Sequence, residues 1–387
     1  MTKILLIILL SVFFSFTLTA CWDGIELQNR AIVLMVGIDP GKEDGQEIKV
    51  SVQIARPQMF KNPVKAASQS ENKKTIVISQ TGVNAADALR KLQLSIDRTL
   101  FFGHVRAIVV NEQLAREGLL RILDPLLQAR IVSRESWLFI STHSAKAILK
   151  DIPMLDPIPS TYLSNFFENN ILLNRPYDAT IGGFHQRLVS PGIQPYGIWL
   201  GESNESLSAP TIKGIAAFFG DQMVGGLQKD QAIGWEFVEN QFPKSPLIFQ
   251  CPHHKNRHIV VEINDSRTTI HFTDMRLDQP AIRVHVSIHG YIEGNTCTKN
   301  NIEDIRQELY IERIVSKQLA RNIEASIQQT QTVLHADLFG FGRMFYWYAP
   351  QKWQGNSKWD QAYPHAKIHV QVKAYLEFLS TYRRDLL

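Results

Sequence analysis

The stretch AIVLMVGIDPGKEDGQEIKVSVQIAR, residues 31–56, decides the fold class. Residues 31–39 and 48–56 read as two strands, and PGKEDG between them reads as a turn. Ile48, Val50, Val52 and Ile54 alternate with other residues, the period-two pattern of a strand with one face in a core, and Pro57 stops it. Residues 61–73 are polar and read as a loop. Further out, TIVISQ (75–80) is a strand, and Thr81-Gly82 leads into a helix over about 84–95. RAIVVN (106–111) is a strand followed by helical material to about 129. Trp137–Thr142 is another strand, with a short helix at Ala145–Lys150. Interleaved strands and helices mark an α/β region. The Pro-rich stretch 153–159 then opens a helical and loop segment to about residue 200.

The composition changes near Gly201–Pro210, where Gly, Glu, Ser and Asn cluster, and a boundary is expected there. Short strands follow around Ile212–Phe219 and Gln222–Gly226, and 257–292 is strand-rich. In that stretch Ile282, Val284, Val286 and Ile288 alternate with Arg283, His285, Ser287 and His289. A long helix is expected from about Asn301 to Leu334. Asn300 or Asn301 is its cap, Glu303 and Asp304 stand in its first turn, and its apolar stripe runs from Ile305 and Leu309 to Ile323 and Ile327. Ile368, Val370 and Val372 form a closing strand. The reading is a multidomain α+β chain. It has a mixed α/β region in 21–200, a small β-rich middle domain in 201–256 and a C-terminal antiparallel sheet packed with long helices in 257–387.

The N-terminus speaks to location. Lys3 is followed by an uncharged run, Ile4 to Ala20, and the run ends in Leu18-Thr19-Ala20-Cys21. A cation, an apolar core and small residues form a secretory signal. The last four residues resemble a bacterial lipobox, in which the Cys21 thiol takes up lipid after residues 1–20 are removed. An uncleaved signal anchor and a plain secretory signal with a chance cysteine are the competing readings. Lipid on Cys21, with two acyl chains, is the reading preferred.

The remaining 367 of 387 residues exceed one ordinary core and suggest two or three domains. With 44% hydrophobic and 20% charged residues the chain is globular, and a net charge of +4 gives no sign of nucleic-acid binding. Cys251 and Cys297 could form a disulfide in an oxidising compartment or stand as separate thiols.

The ordered set of short motifs carries a resemblance. Cys21-Trp22-Asp23, Glu26-Leu27, Ala31-Ile32-Val33 and Gly37-Ile38-Asp39 lead it, followed by Gln53-Ile54-Ala55, Phe101-Phe102-Gly103-His104 and Ala115-Arg116-Glu117-Gly118. Asp337-Leu338-Phe339-Gly340-Phe341-Gly342 closes it, with Trp353 and Trp359 downstream. In this the chain resembles the Ger(x)C family of spore germination lipoproteins, the C subunits of germinant receptors. Arg130-Ile131-Val132-Ser133-Arg134 departs from the Arg-Asp pair the family often carries there. The resemblance implies a multidomain mixed α/β fold. It also implies a non-enzymatic subunit on the outer face of the spore inner membrane, working beside integral-membrane A and B subunits in nutrient sensing.

Site residues are weighed on their chemistry. Gly340 and Gly342 can adopt backbone angles closed to other residues and turn the chain, and Asp337 can cap local amides. Direct contact with a partner is the rival role. The aromatic cluster Phe345, Tyr346, Trp347, Tyr348, Trp353 and Trp359 suits a core, or an interface if exposed. Cys251, His253, His254 and His258 invite a metal, but no CxxC pair or HxxxH helix supports one, the local setting reading as a loop entering a strand, and His285 and His289 sit too far apart along a strand. His104 reads as a structural histidine. Gly37–Lys42 is one residue short of a phosphate loop, and no nucleophile elbow or HExxH is present, so no catalytic residue, metal or cofactor is expected. The alternative function is an extracytoplasmic solute-binding lipoprotein of a transporter, which would have two similar lobes around a cleft.

Overall fold

The strands of the opening stretch, β1 (Arg30–Pro40) and β2 (Ile48–Ala55), pair antiparallel, and β3 (Thr75–Gly82) adds to the outer side of β2. The computed structural model describes residues 4, 29–41, 47–56, 74–128, 131–151, 158–168, 178–204, 209–241, 246–252, 254–297 and 305–378. Cys21, the expected loop 61–73, His253 and the expected cap of the long helix lie outside the described residues.

Helix α1 (Ala85–Leu94) is capped by the Asn84 side chain, which accepts from Asp87 N. After it β4 (Thr99–Phe101) and β5 (Ala107–Asn111) both run parallel to β1 at successive heights. Asn111 then caps α2 (Glu112–Glu117), and α3 (Leu120–Gln128) precedes β6 (Trp137–Ser141). Helices α4 (Ala145–Lys150), α5 (Pro159–Glu168) and α6 (Ile181–Val189) lead to β7 (Tyr196–Asn204), β8 (Ala209–Phe219) and β9 (Gln222–Gln228).

These nine strands make one sheet in the order β3-β2-β1-β5-β6-β7-β8-β9, with β4 beside the start of β1. Its centre, β1-β5-β6-β7, is parallel, and an antiparallel pair flanks it on each side. All of β6 and all of β5 but Asn111 are buried, as a strand covered on both faces must be. One face (Val36, Ile38, Ile108, Val110) packs under α1 and α3. The other (Met35, Ala107, Val109, Phe139) opens into the core of the rest of the molecule.

After α7 (Asp230–Val238) come β10 (Leu247–Cys251), β11 (His254–Asp274) and β12 (Ala281–Asn295), then the long α8 (Ile305–Thr332). Helices α9 (Phe341–Tyr348) and α10 (Asn356–Ala362) precede β13 (Lys367–Phe378). The second sheet has the order β10-β11-β12-β13, and Ile282, Val284, Val286 and Ile288 face inward as the alternation requires. Its first three strands are antiparallel, but β13 runs parallel to β12. The long connection through α8, α9 and α10 brings the chain back to the end where β12 begins, which a parallel pair needs.

Side chains of α8 also close the edges of this sheet. Ser316 Oγ accepts from Ala374 N at 2.9 Å and Glu312 Oε1 from Leu376 N at 2.9 Å, on β13. Gln318 exchanges two hydrogen bonds with the backbone of Gln250, on β10. Occupied edge groups cannot recruit a foreign strand. The α8 stripe is buried from Ile311 through Ile327, whereas Ile305 and Leu309, expected in it, are exposed.

The expected middle domain divides between the two sheets. Strand β7 runs through residue 201, β8 and β9 extend the first sheet, and β10 joins the second. Residues 201–204 and 209–210 of the polar segment are antiparallel strand ends of β7 and β8, since strand ends at a reversal and a domain boundary call for the same small polar residues.

Candidate functional site

The Asp337 turn is the junction of the two sheets. Helix α8 ends at Thr332, and Leu334 N and Ala336 N bond back to the carbonyls of Gln329 and Thr330. The Asp337 carboxylate is then buried among four donors. Its Oδ1 accepts from Phe339 N at 3.1 Å and Gly340 N at 2.9 Å, and its Oδ2 from Gly342 N at 2.8 Å and Trp359 Nε1 at 3.0 Å. Gly340, at the cap of α9, has no side chain to offer, and Asp337 supplies the missing cap from three residues upstream. Burial pushes the Asp337 carboxyl up to about 6, while the N–H donors pull it down. Burial likewise raises the Tyr363 hydroxyl well above its ordinary value, with the Asp337 charge adding to it, and that hydroxyl meets Thr330 Oγ1 at 2.7 Å.

The two signature glycines work differently. Gly340 has φ +71°, the left-handed region. Gly342 lies outside that region and serves by being small: a Cβ there would stand 2.4 Å from Trp359 Nε1. The expectation that both glycines supply unusual backbone angles therefore holds for Gly340 alone.

The first unit is bolted onto this turn. Gln194 N donates to the Asp337 carbonyl at 2.8 Å, and Arg343 N to the Gly192 carbonyl at 2.9 Å. Arg187, in the last turn of α6, is buried; it donates to the Leu338 carbonyl at 3.1 Å, pairs with Glu239 at 2.8 Å and stacks over Tyr196. Burial works against the Arg187 charge, but Glu239 outweighs it and the guanidinium is held above its ordinary value. Arg187, Gly192 and Gln194 were not singled out from the sequence. Ser190-Pro191-Gly192 does signal a turn, and Arg187 falls three residues after Phe184 on the apolar side of α6, where a charge needs a partner.

Motif residues in the first sheet converge similarly on α4. Asp39 accepts from Ala145 N at 2.6 Å, Lys146 N at 2.9 Å and Ser144 Oγ at 3.0 Å, and Gln53 Nε2 donates to the Leu149 carbonyl. Gly37 admits the same helix, since a Cβ would meet Leu149 at 2.9 Å. At Gly118, φ +124°, the chain turns against Asp221, whose carboxylate accepts from Leu120 N. These residues fix backbone to backbone, and buried hydrogen bonds of this kind rigidify, with Gln53 Oε1 left without a hydrogen-bond partner among the described residues.

Two family models match in order, a spore germination protein N-terminal domain over 23–197 and a spore germination B3/GerAC-like C-terminal domain over 213–377. The chain belongs to the GerAC-like family of spore germination proteins. Similar relatives include spore germination protein KC of Bacillus subtilis, 25% identical, with 93% of this chain and 92% of that protein aligned. The putative spore germination protein YfkR of the same organism is 23% identical, with 91% of each covered. The crystal structure of the GerBC protein shares the fold with TM-score 0.51 at 16% identity, covering 89% of this chain and 97% of that one.

The remaining site candidates separate. Cys251 and Cys297, with Cα atoms 5.5 Å apart, are joined as a disulfide across the end of the second sheet. This occupies the one sulfur of the metal reading, and among the described residues no three His, Cys, Asp or Glu come together. His289 is exposed and stacks on Tyr375, and His104 is exposed at the edge of Phe101. The aromatic cluster divides: Phe345 and Trp359 are core, while Trp347 and Tyr348 are 60% and 67% exposed.

Proposed function

We propose that this family member is a lipid-anchored C subunit of a nutrient germinant receptor, held by lipid on Cys21 to the outer face of the spore inner membrane. Removal of residues 1–20 leaves Cys21 as the first residue of the mature chain. The subunit assembles with the integral-membrane A and B subunits and acts by contact, not by chemistry. The observation that carries this reading is the lipobox Leu18-Thr19-Ala20-Cys21 standing immediately before two germination-family matches in order. Among the described residues no helix is long and apolar enough to cross a membrane. Tethering raises the local concentration of the body beside its partners, so a weak interface suffices for occupancy.

A rigid body suits that role. The two sheets share one core through α7 and α8 and are locked at the Asp337 turn, so force or displacement at one reaches the other. Among the described residues they have nine and four strands, unlike the paired similar lobes of a solute-binding lipoprotein. Cys21→Ala should release the protein from the membrane fraction and impair nutrient-triggered germination, and the A and B subunits should co-purify with the wild type. Full membrane retention with normal germination, or purification free of both subunits after cross-linking, overturns the reading.

A further inference from the structure

We infer that one end of the C-terminal unit is a docking surface for an anionic lipid bilayer, resting on the lipid-anchored reading above. Three segments meet at this end. Residues 275–278 of the β11–β12 turn (275–280) line a groove together with Lys352 and Lys358, which follow α9. The start of β13 is tied to that turn, Lys367 N donating to the Pro280 carbonyl at 2.8 Å. A second hollow beside it is lined by Thr273, Arg283, Lys367 and His369. Phe272 of β11 and Phe345 of α9 are in edge contact, which sets α9 along the same end.

Chemistry decides what this end meets. Arg283, Lys352, Lys358 and Lys367 are exposed and form no close ion pair among the described residues, although Asp274, paired with Arg276, lies within electrostatic reach of Lys352. Arg276 pairs with Asp274, and Asp278 is the further carboxylate in the groove. The cations therefore outnumber the acids. On the helix that leads into Lys352, Trp347 and Tyr348 are exposed at the last turn of α9, with Arg343 over the Trp347 ring at 5.2 Å. A protein-binding core is depleted of lysine and built on apolar packing. Indole and phenol rings set among lysines and arginines are instead the composition of the headgroup layer, where amphipathic rings lodge and cations meet anionic lipid. A tether at Cys21 and a second contact at this end would hold the subunit in one orientation.

The test uses the full-length lipidated protein carrying Trp22→Phe, reconstituted in phosphatidylglycerol–phosphatidylcholine vesicles with brominated acyl chains, which quench membrane-seated indoles. Flotation reads the anchor, and tryptophan emission reads the docking. Quenching is expected, is lost on Trp347→Phe, and falls in vesicles of phosphatidylcholine alone. Lys352→Gln should lower the docked-to-undocked ratio about fivefold, the share of one cation near an anionic surface. A chain that does not float overturns the anchored reading and the docking with it. A chain that floats with Trp347 unquenched, or quenched only when the integral subunits are added, overturns the docking alone.

Discussion

Asp337→Asn sets two opposed effects on one buried carboxylate against each other. Burial favours the neutral acid, whereas the three backbone amides and the Trp359 indole favour the anion. The balance leaves the folded value at about 6, above the 3.8 of the free side chain. The folded chain thus binds this proton more tightly than the unfolded chain does. Stability from the group is complete below about pH 3.8 and is lost as the pH rises through about 6. The separation of 6 − 3.8, about 2 units, corresponds to about 3 kcal/mol. Asparagine has the same shape and does not titrate, so differencing the two proteins cancels the other carboxylates. Urea unfolding of both, followed by tryptophan emission from about pH 4 to pH 7.5, should show wild type losing about 3 kcal/mol relative to the variant. A stability difference that is flat across this window, or that moves in favour of wild type toward neutral pH, refutes the argument and shows that the donors outweigh burial.

Further outcomes follow from the same junction and from the second sheet. Arg187→Met strands the partly buried Glu239 carboxylate and removes a donor from the Leu338 carbonyl, and should cost about 3 kcal/mol in urea unfolding. Adding Glu239→Gln should recover part of it, and no recovery would contradict the pairing. Gly342→Ala must displace the Trp359 indole, with a loss of about 1–3 kcal/mol and a changed near-ultraviolet circular dichroism spectrum. The Cys251–Cys297 bridge spans 46 residues, and closing a loop of that length is worth about 4 kcal/mol. Reductant should therefore lower the Tm of wild type and leave a Cys251→Ser, Cys297→Ser protein unchanged.

Much of the site was legible in sequence, but in fragments. Asp337 and the glycines announce a turn because short acceptors and glycine do local work on the backbone. Nothing local says that the fourth donor is Trp359, or that Gly192 packs against Gly342. Arg187 shows only as a charge in an apolar helical face, and its partners lie at Glu239 and Leu338, far along the chain. Asp39 looked like part of a failed phosphate loop; the fold makes it the cap of α4.

The sequence by itself determined the elements. Period-two and helical spacing mark β2, β12 and α8, because each reports the geometry of its own backbone and an apolar face, although in β2 the polar face with Ser51 and Gln53 is buried as well. It also determined family membership, through motifs whose order needs no coordinates. Only the tertiary structure decided which sheet each strand joins. Strands β8 and β9 could extend the first sheet or stand alone, and β13 could run either way, since alternation is the same in every case. Pairing partners are chosen by edges and cores assembled from distant segments. The exposure of Trp347 and Tyr348 was settled in the same way, because an aromatic residue reads alike in a core and at a surface until its neighbours are in place.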